Sequence, residues 1–208
     1  MGAAFDRSFW EERWARALQQ HAGTCLPRSP NAHLVAELTD LPPGVALDAG
    51  CGHGSDTLWL AARGWHVIAV DFSETALAHA KSTAEAAGAD VAERIDWVEG
   101  DLSTWAPEPG RFDLVACLYV HISGSTEETV QRLATGVAPG GTLFLVGHRP
   151  IDPATGAETA AAGQTQASVD AVVATLDPGR WELLVAEDRP RAAAGTGVDA
   201  VISARRRS

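Results

Sequence analysis

The sequence predicts a doubly wound α/β fold: a mostly parallel, seven-stranded sheet, covered by helices on both faces and finished by an antiparallel C-terminal hairpin. Three observations lead there. From Val45 onward, short apolar runs alternate with helical stretches, the rhythm of parallel strands buried on both faces. Gly50, Gly52 and Gly54 follow the first run directly and precede a helix, the punctuation of a ligand-binding strand-to-helix turn. The last two apolar runs are joined by a turn-rich stretch with no helix, so they pair antiparallel.

Taken in order, residues 6–21 form an amphipathic helix carrying Phe9, Trp10, Ala17 and Leu18, with Trp10 and Trp14 four apart and hence on one face. Ser29 as N-cap and Pro30 at the first helical position predict a second, short helix through His33, Leu34, Val35 and Leu38, stopped by Pro42, Pro43 and Gly44. Strands are expected at 45–49, 67–70, 95–98, 112–117, 142–146, 181–186 and 199–204. Helices are expected at 55–63, 73–87, 126–137 and 167–176, the second of these capped by Ser73 and rich in alanine. No repeat or linker divides the chain, so residues 1–208 read as one domain.

Composition narrows the function classes. Apolar residues make up 46% and charged residues 21% of the 208, as in a folded globular chain. Acidic residues outnumber basic ones 27 to 16, a net charge of −11, which repels nucleic acid and anionic membrane alike. The basic run Arg205, Arg206 and Arg207 reads as a solvated chain end. Cys25, Cys51 and Cys117 are odd in number and widely spaced, which fits neither a disulfide framework nor a zinc site, and no other metal-ligand spacing occurs. With no apolar leader in MGAAFDRSFWEERW, the expected location is cytoplasmic.

The strongest chemical signal is ALDAGCGHGSDTLWLA, residues 46–61. Glycines let the chain turn sharply out of the strand and are expected to leave backbone N–H groups open to a ligand. The loop misses the dinucleotide spacing GxGxxG, since Ser55 follows Gly54 directly. Asp71 ends the second strand, either to accept hydrogen bonds from a ribose diol or to serve the start of the next helix. Tyr119 and His121 follow the fourth strand and His148 the fifth, at the carboxyl ends where such sheets bind ligands. An imidazole titrating near about pH 6.5 suits proton transfer there; the alternative is a histidine that only satisfies local hydrogen bonds. Arg149, Arg189 and Arg191 are either anion-binding or solvated surface residues.

In order along roughly residues 30–204, the segments DAGCGHG, VIAVDFS, EGDLSTW, FDLVACLYVH and APGGTLFLV resemble the class I S-adenosylmethionine-dependent methyltransferases, a Rossmann-like family. The resemblance implies S-adenosyl-L-methionine as cofactor, lying along Gly50, Cys51, Gly52, His53, Gly54 and Leu118. It assigns Asp71 to the ribose hydroxyls, Phe72 to the side of the adenine, Asp101 and Leu102 to the adenine, and Asp48 to the neighbourhood of the cofactor's amino group. Trp105 lies either over the adenine or in the core. FWEERW followed by SPNAHL resembles the tellurite-resistance and thiopurine-methyltransferase-like branch, in which residues 1–43 would be a helical lid on a core of 44–208. Trp10 and Trp14 then either close over the cofactor or dock the helix. The implied reaction is in-line methyl transfer to a small molecule, a thiol or other soft nucleophile or an oxygen or nitrogen nucleophile, with Tyr119, His121 and His148 on the acceptor side. Use of the cofactor for other chemistry such as cyclisation, and an NAD(P)-binding reductase, are the competing readings. The absence of an Asn-Pro-Pro-Tyr motif argues against DNA-base methylation; a monomer or homodimer is expected.

Overall fold

The computed structural model describes residues 7–20, 29–120, 125–152, 154–158, 168–191 and 197–208. The mostly parallel seven-stranded sheet with its antiparallel C-terminal hairpin is present. The chain divides after Trp105, and each half has its own strands and core.

The N-terminal half holds α1 (Arg7–Gln20), α2 (Ala32–Leu38), β1 (Val45–Ala49), α3 (Ser55–Ala62), β2 (His66–Asp71), α4 (Glu74–Ala87), α5 (Ala89–Ala92) and β3 (Ile95–Glu99). β2 pairs in parallel with both β1 and β3. After their first residues β1 and β2 are buried throughout, as continuous apolar runs between two layers of helix must be. Leu47, Val67, Leu60 and Trp65 fill this core. α2 begins later than predicted: Asn31, not Ser29, is the N-cap. Its Oδ1 accepts from the amides of His33 (2.9 Å) and Leu34 (3.2 Å), satisfying two donors that the helix start leaves unpaired. The short α5 was not predicted; Gly88, at φ 125°, turns the chain into it.

The C-terminal half holds β4 (Phe112–Leu118), α6 (Thr126–Thr135), β5 (Val137–His148), α7 (Val169–Thr175), β6 (Trp181–Pro190) and β7 (Val198–Arg206). β5 starts five residues earlier than predicted. The Pro139-Gly140-Gly141 stretch is an irregularity inside the ladder, where pairing jumps from Phe112–Val137 to Leu114–Thr142. A Cβ on Gly141 would lie 2.9 Å from the Phe112 carbonyl oxygen, so only glycine fits there. β7 lies between β5 and β6, antiparallel to both, so the hairpin adds β6 as the outer strand. Phe112, Leu143, Phe144 and Ile202 are among the fully buried large side chains of this half. One register pair matters below: His148 on β5 stands opposite Asp199 on β7.

Gly54, at φ +81°, heads α3, and a Cβ there would lie 2.9 Å from the Ala80 Cβ and 3.1 Å from Trp97. Gly54→Ala is expected to destabilise the chain by roughly 2–3 kcal/mol, from left-handed strain plus overpacking. The measurement is a urea titration in which the midpoint falls at unchanged slope.

Candidate active site

The glycine loop is built differently from the expectation. Gly50, Gly52 and Gly54 all have positive φ (81°, 52° and 81°), which favours glycine. Their amides, however, bond within the protein. Gly50 and Cys51 donate to the Val70 carbonyl (2.8 and 3.0 Å), and Gly54 to that of Cys51 (2.9 Å). Gly52 donates to Asp71 Oδ2 (2.8 Å). These four N–H groups therefore hold the loop in shape instead of standing open, and the glycines serve backbone geometry and close packing.

Asp71, buried at the end of β2, is the centre of that shape. Its Oδ1 accepts from the Ser73 amide (2.9 Å), while Ser73 Oγ caps α4 at Ala76 (3.1 Å). One carboxylate thus ties the loop after β1 to the helix after β2, so the helix-start reading of Asp71 holds. Each oxygen has a second acceptor direction, so the brace leaves capacity for a hydroxyl. Burial raises its proton affinity, and the amide bonds oppose that shift.

Asp48 on β1 is buried and accepts from Thr57 Oγ1 at 2.5 Å. Burial and the nearby Asp56 push its pKa up to about 7 against the pull of the Thr57 bond. Asp56 is itself raised by burial, and its Oδ1 accepts from the Asn31 amide (2.6 Å). The Cys51 thiol is buried and pushed well up by desolvation and by the neighbouring Asp48 and Asp71, so it is no nucleophile.

Beyond β3, Asp101 is exposed and its Oδ1 accepts from the Ser103 amide (2.8 Å), while Leu102 is buried. Trp105 is half-buried and packs on Gly100, where a Cβ would lie 2.9 Å from its ring. α1 reaches the loop through Trp14. A Cβ on Gly52 would lie 2.9 Å from the Trp14 ring, which also sits 5.3 Å from the His53 ring centroid. His53 Nε2 is 3.2 Å from Ser55 Oγ. Arg7 pairs with Glu99 (2.6 Å) and lies 5.8 Å over the Phe72 ring. Burial pushes the Glu11 carboxyl up, but hydrogen bonds from Thr75, Ser73 and the amides of Glu74 and Thr75 outweigh it and hold it low. Trp10 differs from Trp14: its ring meets Phe9 (5.5 Å) and Arg13 (5.4 Å) on its own helix.

The C-terminal half gathers a second cluster. Buried Leu118 ends β4, and Tyr119 follows at φ +55°, a left-handed conformation costing about 1–2 kcal/mol outside glycine. Its ring stacks on His148 at 4.0 Å and 22°, and its hydroxyl donates to Asp199 Oδ2 (2.8 Å). His148 Nδ1 is 3.0 Å from Asp199 Oδ1. Arg191 reaches both, with Nε 3.2 Å from Asp199 Oδ1 and Nη2 2.6 Å from His148 Nδ1. Asp199 is fully buried; desolvation raises its pKa, but His148, Tyr119 and Arg191 together bring it below the ordinary value. Sequence reading missed this residue, although an acid at the second position of the apolar run VDAVISA is itself a signal. Arg149 and Arg189 pair instead with Asp188 (3.3 Å) and Glu187 (2.7 Å). His121 lies outside the described residues. Among the described residues no group of His, Cys, Asp and Glu is arranged to hold a metal, and no helix is long and apolar enough to cross a membrane.

A strand, a glycine loop shaped by positive φ and an acid closing the second strand follow one another as in a Rossmann-like fold. Residues 46–141 match the methyltransferase domain family. The chain is 33% identical to probable thiol methyltransferase 2 of Arabidopsis thaliana over 71% of this chain and 64% of that protein. It is 37% identical to a ubiquinone biosynthesis O-methyltransferase of Azotobacter vinelandii over 48% of this chain and 42% of that one. The chain thus spans less than two thirds of these relatives' length. In fold it is similar to the [4+2]-cyclase SpnF (TM-score 0.75, 17% identity, covering 97% and 95% of the two chains). It is also similar to the 1,6-didemethyltoxoflavin-N1-methyltransferase of Burkholderia thailandensis (TM-score 0.65, 21% identity, 97% and 87%).

Because the folded Asp48 pKa is raised, the stability this group contributes is full below its unfolded value near about 3.9. It is lost as pH rises through about 7. Asp48→Asn, which still offers Thr57 an acceptor, should therefore gain stability relative to the parent chain between pH 5 and pH 8. Thermal unfolding of both chains at the two pH values checks this.

Proposed function

We propose that this chain transfers the methyl group of S-adenosylmethionine to a small-molecule acceptor. The observation that carries the reading is the glycine loop from Gly50 to Gly54, braced by Asp71 and followed beyond β3 by Asp101. The donor set fits the cofactor: carboxylates that only accept hydrogen bonds face a ligand rich in hydroxyl and amino donors. In this reading Asp71 holds the ribose, Phe72 flanks the adenine, and Asp101 and Leu102 hold it. Asp48 lies toward the amino group, and Cys51 and His53 line the cofactor. When bound, the sulfonium supplies an activated methyl carbon. The residues then have to align the acceptor in line with it and exclude water, which can be worth on the order of 10⁵ M in effective concentration. α1 is the lid, with Trp14 its contact to the loop and Trp10 further along it, so that residues 1–43 serve a core of 44–208 in one domain. His148 and Tyr119, with His121, form the acceptor side.

The thiol, thiocyanate and O-methyltransferase names of the relatives support a thiol or other soft nucleophile, or a hydroxyl, as the reacting group. A relative named as a ribosomal RNA methyltransferase is 36% identical over 52% of this chain. The net charge of −11 nevertheless favours a small acceptor over a polyanion. Cys51 and Cys117, buried and not joined in a disulfide, accord with a reducing cytoplasm, and a monomer or homodimer completes the reading.

The test is detection of S-adenosylhomocysteine after incubation with S-adenosylmethionine and a panel of thiols, thiocyanate and phenols. Stoichiometric formation with a methylated product supports the proposal. An acceptor altered without S-adenosylhomocysteine would instead favour cyclase-type chemistry. Asp71→Ala removes both the ribose partner and the brace on Gly52. It should weaken cofactor binding roughly tenfold to a hundredfold, measured calorimetrically; unchanged affinity would remove Asp71 from the site.

A further inference from the structure

The chain ends on Arg205, Arg206 and Arg207, a run that the sequence reads as solvated. Arg206 departs from that reading: it is half-buried, stands opposite Trp181 in the β6–β7 ladder, and donates through Nη1 to the Val137 carbonyl at the start of β5. Beside it lies a cavity of about 530 Å³ lined by residues of the C-terminal half alone, a volume typical of small-molecule sites. It sits at the amino ends of β4 and β5, away from the carboxyl ends where such sheets bind their principal ligand. The cavity wall has two kinds of surface. Buried Leu176 and Trp181, with Pro139 at the rim, are apolar, whereas Arg180 and Arg206 bring guanidinium groups. The Arg180 side chain is exposed and has no ion pair or hydrogen bond among the described residues. Arg206 uses one N–H on Val137, which fixes its guanidinium and leaves it further donors. The one carboxylate in the lining, Asp177, has Oδ1 turned to the Gly179 amide (2.9 Å). Two guanidinium groups against one carboxylate leave the cavity positive in a chain of net charge −11.

We propose that this cavity is a second binding site, and that it takes a small organic anion: a carboxylate or sulfonate carried on an aromatic body of one or two rings. The anionic group pairs with Arg180, whose planar fork matches two oxygens at once. The ring lies against Trp181 and Leu176. A bare inorganic anion would leave that apolar wall uncovered, and a neutral aromatic would leave the guanidinium groups unpaired, so the two surfaces together select a molecule that has both. The frame is fastened before any ligand arrives. The amides of Arg180 and Trp181 both donate to the Asp177 carbonyl (2.9 Å each), that of Arg207 to the Arg180 carbonyl (2.8 Å), and that of Gly110 to the Thr135 carbonyl at the end of α6 (2.9 Å). Binding therefore does not have to order the surrounding backbone. β4 runs roughly 20 Å from this end to Tyr119, so the occupant is not the methyl acceptor. The site exists whether or not the chain transfers methyl groups.

The probe is 1-anilinonaphthalene-8-sulfonate, an anion on an aromatic body whose fluorescence rises when it leaves water. The parent chain should bind it at a single saturable site. 2-Naphthoate should displace it roughly tenfold or more better than the neutral 2-naphthamide, the difference expected from one charge-assisted pair. Two variants at exposed positions of the cavity wall, Arg180→Gln and Gln131→Glu, remove a cation or add an anion without touching the core. Each should weaken dye and naphthoate roughly tenfold or more, with the urea midpoint unchanged. Displacement by naphthamide as readily as by naphthoate would overturn the anion site. Binding that is the same in the parent chain and both variants would put the dye elsewhere and overturn the cavity as a site, as would a parent chain that shows no saturable binding.

Discussion

The N-terminal half depends on one hydrogen bond, from the Gly52 amide to the carboxylate of Asp71 (2.8 Å). A glycine loop in the left-handed region is strained for other residues and has little stability of its own. Here it is closed from below by the Val70 carbonyl and from the side by Asp71. The same carboxylate reaches Ser73, which caps α4. Loop, strand end and helix start are therefore one hydrogen-bonded unit, buried from water. A ligand at the carboxyl end of β1 and β2 meets a surface whose geometry is set before it arrives, and such preorganisation lowers the cost of binding. α1 is fitted to the same unit: Trp14 approaches Gly52 at a distance that leaves no room for a side chain there.

The C-terminal half solves a related problem with sheet register. An antiparallel partner for β5 places Asp199 directly opposite His148, which a further parallel strand would not have done from the neighbouring sequence. Burying a carboxylate is costly unless it is well bonded. The Tyr119 hydroxyl and Arg191 Nε donate to Asp199, and His148 Nδ1 stands 3.0 Å away.

Legibility in the sequence followed the range of the interactions. Strand positions and most helices were readable because apolar runs and caps are local: β1 has its predicted bounds, and Ser73 caps α4 as expected. Differences arose where two local signals competed, as Ser29-Pro30 did with Asn31, and where glycine and proline interrupt the apolar pattern at the start of β5, at 139–141. The glycine loop was legible as a motif, yet its hydrogen bonds were not, since the partners of its amides lie on β2, 19 residues away for Gly52 and Asp71. His148 and Tyr119 were legible from the ends of their strands. Asp199 required knowing that β7 inserts beside β5, a long-range pairing that no local pattern encodes.

The N-terminal half offers a hydrogen-bonded glycine loop braced by a buried carboxylate, and the C-terminal half a histidine set opposite a buried carboxylate. The measurement that bears most directly on this account is calorimetric titration of the purified chain with S-adenosylmethionine, S-adenosylhomocysteine and NAD(P)H in turn. The account predicts one-to-one binding of the two adenosyl ligands in the micromolar range and no heat with NAD(P)H. Binding of NAD(P)H without response to either adenosyl ligand would contradict it.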